Sequence, residues 1–165
     1  MKSIRKEEGH PLALRDTYLA MIEGSTGSAQ YRKLFVHRHD GPYDVIGNGD
    51  LACAFFTSSI LHLFGLIRGG VHTTVDETLR DMLRSGWKEV ADPEPGAVVV
   101  WGLKLSDTDG IKHRHIGFCV SDTLAVSTNS KRRSPQLHHI NGLTTEDGSE
   151  RPVVAYYTHF IIGGK

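Results

Sequence analysis

The sequence has few cysteines and no long apolar segment. Its two cysteines, Cys53 and Cys119, are too few for a disulfide framework. No apolar run approaches the ~18 residues that span a bilayer, and the first ten residues, MKSIRKEEGH, carry charge without an apolar stretch behind them. We therefore expect no membrane span and no secretory signal. As encoded, the chain is expected to be cytoplasmic, with export by a dedicated route left open.

The chain also lacks an excess of either charge. Nineteen lysines and arginines balance nineteen aspartates and glutamates, whereas a general nucleic-acid binder carries a basic excess. We therefore expect no nucleic-acid partner. The 165 residues, 39% hydrophobic and 23% charged, have the composition of one globular domain, and the oligomeric state is left open.

The order of periodic segments predicts an α+β fold. Asp50 is the predicted cap of a mostly apolar helix, and Thr74 with Glu77 forms a capping box for another. Short alternating segments then predict an antiparallel sheet packed on the apolar helix. The predicted helices cover residues 12–23, 29–36, 51–65 and 75–86, and the predicted strands cover 97–101, 113–120, 123–128, 136–140 and 153–160.

Cys53 lies in the first turn of the predicted apolar helix. Unpaired N–H groups and the positive end of the helix dipole favour an anion there, so this position should lower the pKa of the thiol. The same N–H groups could receive a developing oxyanion. Because cysteine is also among the most buried residue types, an inert core position is the alternative. We interpret Cys53 as a nucleophile, and Cys119 as structural.

A thiol nucleophile needs a base, and His115 is the candidate. Alternation along its strand places His115, Gly117 and Cys119 on one face, and Gly117 should leave open space beside the imidazole. The next strand ends in polar residues that can hold the second ring nitrogen. Ser127, Thr128 and Asn129 are the candidates for this role.

Five segments in order resemble the NlpC-type cell-wall peptidases and amidases, a compact branch of the papain-like fold. They are GPYDVIGNG, ACAFFTSSIL, PEPGAVVVWG, HIGFCV and AVSTNS, within residues 41–130. The resemblance implies a papain-like domain over 41–165 that follows an N-terminal helical segment over 1–40. It also implies a cysteine hydrolase of peptidoglycan peptides or amides without a cofactor.

The resemblance assigns roles residue by residue. Cys53 is the nucleophile, His115 the base, and Asn129 or Ser127 the third member; Tyr43 with the Cys53 N–H would steady the oxyanion. The sequence departs from the family pattern next to the cysteine, where alanines replace the usual aspartate and serine-glycine. Two alternatives therefore stand: a non-catalytic binding module on the same fold, and a histidine-based zinc hydrolase. Paired histidines at 37/39, 113/115 and 138/139 suit zinc, but no HExxH motif or cysteine pair accompanies them, and no metal is expected.

Overall fold

The fold is α+β, with three helices packed on an antiparallel sheet. The computed structural model describes residues 11–107 and 109–163. In those residues the helices are α1 (Leu14–Gly24), α2 (Cys53–Leu63) and α3 (Val75–Arg84). The strands are β1 (Phe35–Arg38), β2 (Gly41–Asp44), β3 (Lys88–Val90), β4 (Val98–Leu105), β5 (Lys112–Cys119), β6 (Leu124–Asn129), β7 (Ser134–His139) and β8 (Val153–Thr158).

The main sheet has six strands in the order β3-β8-β4-β5-β6-β7, and its described pairs are antiparallel. Two features of β5 matter for the site. Its pairing with β4 shifts register between Trp101 and Lys104. Its pairing with β6 holds only Phe118↔Val126 and Cys119↔Ala125, so the ladder between the two strands ends at Phe118. Backbone groups of the first part of β5 that face away from β4 are therefore available to side chains.

Each face of the sheet has its own core. One face carries Val100, Ile116 and Phe118 against α2, whose apolar side chains include Phe56 and Leu61. The other face packs Trp101, Cys119, Ala125 and Ile140 into a smaller cluster. The predicted alternation along β5 is thus confirmed. Burial of these side chains, about 1.5–3 kcal/mol each, fixes how α2 lies on the sheet.

Three helix boundaries show how the sequence encodes these elements. At α3 the prediction is confirmed: the Thr74 hydroxyl accepts a hydrogen bond from the Glu77 N–H at 3.2 Å. The expected cap of α2 at Asp50 is wrong, because residues 46–51 form backbone turns and α2 has Ala52 as its N-cap residue. No helix forms over 29–36, where the Asp44 carboxylate accepts the Leu34 N–H and β1 begins at Phe35.

The N-terminal region is therefore not wholly helical. The β1–β2 hairpin runs across the expected boundary at residues 40 and 41. Tyr18 and Ile22 of α1 are fully buried in the same core as α2, and the Tyr18 hydroxyl donates to the Gly96 carbonyl at 3.0 Å. Within the described ranges, no helix is long and apolar enough to cross a membrane. The expectation of no secretory signal concerns residues 1–10, which lie outside the described residues.

Candidate active site

The thiol of Cys53 lies between the start of α2 and strand β5. Cys53 is the first residue of α2, and it is partly buried against the core beneath the sheet. The backbone N–H groups of Ile116 and Ala54 are close enough to its sulfur to lower the pKa of the thiol. The Ile116 N–H is available because the ladder between β5 and β6 has ended at Phe118. Cys53 is thus held against the residue that directly follows His115.

The expected lowering of the Cys53 pKa is not found. Burial is the largest influence and raises the pKa of the thiol above its ordinary value. The N–H groups of Ile116 and Ala54 and the positive charge of Arg151 lower it, but they do not outweigh burial. The helix dipole therefore does not decide the protonation state, and the resting sulfur is a thiol.

His115 lies on β5 opposite Trp101 of β4, and the two rings pack with their centroids 5.4 Å apart. Its Nε2 atom lies 2.8 Å from the Ser127 hydroxyl oxygen. Ser127 is buried on β6, with 1% of its surface exposed. The third position suggested by the resemblance is therefore occupied by Ser127.

The Ser127 hydroxyl has a second partner, His138, which the sequence analysis did not single out. His138 lies on β7, and its Nε2 atom is 2.7 Å from the same hydroxyl oxygen. Its Nδ1 atom lies 2.8 Å from the backbone carbonyl oxygen of His139. The His138 ring also packs on Trp101, at 5.6 Å between centroids. A chain of hydrogen bonds therefore runs from His115 through Ser127 to His138.

The direction of each hydrogen bond in this chain follows from its last member. A carbonyl oxygen only accepts, so Nδ1 of His138 carries the proton and donates to His139. In the neutral ring, Nε2 of His138 then accepts the Ser127 proton. The Ser127 oxygen in turn accepts from Nε2–H of His115. The neutral His115 ring is thereby fixed with its lone pair on Nδ1, the nitrogen a base needs free.

His115 remains neutral over the ordinary pH range. Burial, and then the positive charge of Arg151, lower the pKa of His115 to about 3. Burial likewise lowers the pKa of His138. Cys53 therefore rests as a thiol and His115 as a neutral imidazole, not as a thiolate–imidazolium pair.

Two residues assigned from the resemblance lie elsewhere. Asn129 is exposed at the end of β6, and its side-chain oxygen accepts the Arg132 N–H at 2.9 Å in the following turn. It does not hold His115, because the buried Ser127 already occupies that position. Tyr43 lies in the β1–β2 hairpin, 45% exposed, with the Arg38 guanidinium 3.3 Å from its ring centre. In the described part of the chain no hydrogen bond joins Tyr43 to Cys53.

The space beside Gly117 is occupied by protein. A Cβ atom at this position would lie 2.6 Å from the Ser127 Cβ and 2.6 Å from the Val126 carbonyl oxygen. The expected substrate space is therefore filled by β6. Glycine is needed here because it lets β6 approach closely enough for Ser127 to reach His115.

A buried arginine adjoins this site and was also missed by the sequence analysis. Arg151 precedes β8 and is 8% exposed. Its Nε donates to the Gly102 carbonyl at 2.7 Å, and its Nη2 donates to the His113 carbonyl at 2.5 Å. These carbonyls lie where β4 and β5 shift register. A single arginine before a proline gives no sequence pattern, so only the sheet pairing identifies it.

No metal site accompanies these residues. The described ranges contain no group of three or more His, Cys, Asp or Glu side chains placed to hold a metal ion. Two of the histidines considered as zinc ligands have other partners. Nε2 of His113 lies 2.7 Å from Oδ2 of Asp109, and Nε2 of His138 is hydrogen-bonded to the Ser127 hydroxyl. Comparison of the chain with protein-family models, with curated proteins and with solved structures gave no match.

Proposed function

We propose that this protein is a cysteine hydrolase with a papain-like catalytic domain, and that it cleaves an amide bond through a thioester. The observation that carries the proposal is the set of hydrogen bonds from His115 through Ser127 to His138, which leaves Nδ1 of His115 unprotonated. These hydrogen bonds keep one ring nitrogen of His115 protonated and leave the other free, as general-base catalysis with a thiol requires. Cys53 acts from the start of α2 on the backbone of Ile116, the residue that follows His115.

The first half of the reaction forms the thioester. Nδ1 of His115 takes the thiol proton as the Cys53 sulfur attacks the amide carbonyl carbon, and the carbonyl oxygen becomes an oxyanion. The N–H groups at the start of α2, which act on the sulfur at rest, would then donate to that oxyanion. The C–N bond then breaks, and His115 gives its proton to the leaving amine.

The second half regenerates the thiol. Nδ1 of His115 takes a proton from water as the water oxygen attacks the thioester carbonyl. The C–S bond breaks, the acid product leaves, and the proton returns from His115 to Cys53. Ser127 and His138 keep Nε2 of His115 protonated in both halves, so that Nδ1 alternates between base and acid.

The substrate class of this proposal comes from the resemblance to NlpC-type enzymes. It is a peptidoglycan peptide or the amide bond between that peptide and muramic acid. The aligned segments include the Cys53 helix, the His115 strand and the Ser127 strand. Each contributes a residue to the site just described.

The test measures hydrolysis of purified peptidoglycan peptides and muramoyl peptides. Cys53→Ala and His115→Ala are expected to lower the rate by about 10³-fold or more, as for loss of a nucleophile or its base. His113→Ala is the matched control, because His113 is a histidine on the same strand whose ring instead pairs with Asp109. It should keep the wild-type rate. Hydrolysis that survives in Cys53→Ala would contradict the proposed mechanism.

A non-catalytic binding module is the second candidate, and the protonation state of the site favours it. A thiol with a raised pKa beside a histidine with a pKa of about 3 lacks the ion pair of an activated cysteine. This candidate predicts binding of wall peptides that is equal in wild type and Cys53→Ala, with no turnover. Turnover by wild type that is lost in Cys53→Ala excludes it.

A further inference from the structure

Arg151 is a buried cation without a buried counter-ion. It is 8% exposed, and in the described residues no carboxylate lies within ion-pair distance of it. Glu146 is the carboxylate that acts on it electrostatically, but Glu146 is half exposed and lies 3.9 Å from Lys112. A charge removed from water is costly unless it is paired. The unpaired guanidinium therefore suggests an anion that binds from outside the chain.

The guanidinium is held rigidly with donors to spare. Nε and Nη2 are engaged by the Gly102 and His113 carbonyls, which fix the plane of the group. Nη1 has no acceptor in the described part of the chain. It is also not sealed from solvent, since Thr57 Oγ1 is the one fully buried side-chain nitrogen or oxygen without a partner there. Nη1 is therefore the guanidinium nitrogen left available to a ligand.

The guanidinium lies near the thiol and the imidazole. Gly102 follows Trp101, which pairs with His115 across β4 and β5, and His113 lies two residues before His115. The positive charge of Arg151 acts on both Cys53 and His115. An anion on Nη1 would therefore lie beside the reacting groups and not at a distant surface.

We propose that Arg151 forms a carboxylate-binding subsite next to Cys53, so that the substrate carries a carboxylate close to its scissile bond. A carboxylate accepts from Nη1 and from the remaining Nη2–H, the paired geometry that a guanidinium favours. The proposal narrows the substrate class of the proposed hydrolase. Only this statement about the substrate rests on the proposed function. Binding of a carboxylate can be tested without turnover.

The experiment compares two reagents that alkylate Cys53 and differ in charge. Iodoacetate and iodoacetamide both form an S–CH₂ bond with loss of iodide and the thiol proton. Only iodoacetate carries a carboxylate on that CH₂ group. The quantity measured is the ratio of their rate constants at Cys53, located by peptide mapping and divided by the ratio for N-acetylcysteine amide. We expect this normalised ratio to be well above one in wild type. It should fall about tenfold in Arg151→Gln, as for loss of one close charge pair.

Two further variants separate local binding from general charge and from misfolding. Arg151→Lys keeps the charge and should retain a ratio above that of Arg151→Gln. Arg114→Gln removes one positive charge from an arginine of β5 whose guanidinium lies 2.6 Å from Asp76, and it should leave the ratio unchanged. Circular dichroism and thermal unfolding establish which variants are folded. If Arg151→Gln is unfolded, the wild-type ratio alone decides.

The proposal is wrong if the wild-type ratio does not exceed one, if the ratio falls equally in Arg114→Gln and Arg151→Gln, or if Cys53 reacts with neither reagent. In the last case no small carboxylate reaches the guanidinium. Failure of the proposed function looks different. A protein that prefers iodoacetate through Arg151 but hydrolyses no peptide keeps the carboxylate subsite and loses the hydrolase.

Discussion

Replacing Gly117 with alanine tests whether the contact between β5 and β6 positions His115. The new Cβ would lie 2.6 Å from the Ser127 Cβ and from the Val126 carbonyl oxygen, about 0.8 Å inside the 3.4 Å limit of ordinary contact. Neither atom is the end of a flexible side chain, so β6 itself must move. Ser127 would then move away from the Nε2 atoms of His115 and His138, now 2.8 and 2.7 Å from its oxygen.

The expected cost has two parts. Inserting a methyl group into a packed site costs about 1–3 kcal/mol. Weakening the two hydrogen bonds of Ser127 adds about 1 kcal/mol each. A total of about 3–5 kcal/mol corresponds to a fall in Tm of roughly 6–20 °C for a domain of this size. The free energy of unfolding should also fall by this amount in urea, with an unchanged m-value.

Gly24→Ala is the matched control. Gly24 ends α1, and a Cβ there would meet no atom within 4 Å. Alanine should raise the free energy of unfolding by about 0.5–1 kcal/mol. It lowers the conformational entropy of the unfolded chain and causes no strain in the folded one. Urea unfolding of both variants, with ¹⁵N spectra of the histidines, measures both effects. A Gly117→Ala protein as stable as wild type, with the His115 signals unchanged, would refute the reasoning.

Other predictions concern protonation and hydrogen bonding. Ser127→Ala should remove the fixed Nε2–H tautomer of His115 in ¹⁵N NMR spectra and cost about 1–3 kcal/mol of stability, whereas Asn129→Ala should leave the tautomer unchanged. In wild type, the His115 ring should stay neutral from about pH 8 to about pH 4, since its pKa is about 3; protonation above pH 5 would contradict the burial argument. Iodoacetamide should modify Cys53 faster than Cys119 at neutral pH, because Cys119 is fully buried and its pKa is raised to about 12. Burial raises the pKa of Asp81, but hydrogen bonds from His72, Gly69 and Arg68 outweigh it and leave the pKa below its ordinary value. Wild type should therefore lose stability as pH falls through that lowered pKa, and in urea unfolding Asp81→Asn should lack this dependence.

Elements that depend on local chemistry could be predicted from the sequence. The Thr74 and Glu77 capping box identified α3, because both partners lie in the same turn. Alternation along β5 separated Ile116 and Phe118 from Cys119, because side chains of a strand point to opposite faces. Residues 35–44 form a hairpin that the predicted strands did not include, because HRHDGPYD is rich in turn residues.

The site was predicted less completely, because it depends on how distant strands pair. Cys53 and His115 each lie in a recognisable local pattern, and the structure brings Cys53 against the residue after His115. The choice between Ser127 and Asn129 depends on how closely β6 approaches β5, which Gly117 controls. His138 reaches Ser127 only through the pairing of β6 with β7, and that register is not encoded in either strand alone.

The end of the ladder between β5 and β6 at Phe118 explains how Cys53 acts on the backbone of β5. Cys53 approaches with α2 from the face of Ile116, whereas His115 lies with Trp101 on the other. A continuous ladder would engage the Ile116 N–H with β6, but the pairing stops at Phe118 and leaves that N–H to the thiol. The resulting burial keeps the thiol and the imidazole neutral at rest. Because the permanent charge of Arg151 acts on both groups, an anion bound there would change both proton affinities when it arrives. An anionic ligand that neutralises Arg151 would raise the pKa of His115 and so make it a stronger base.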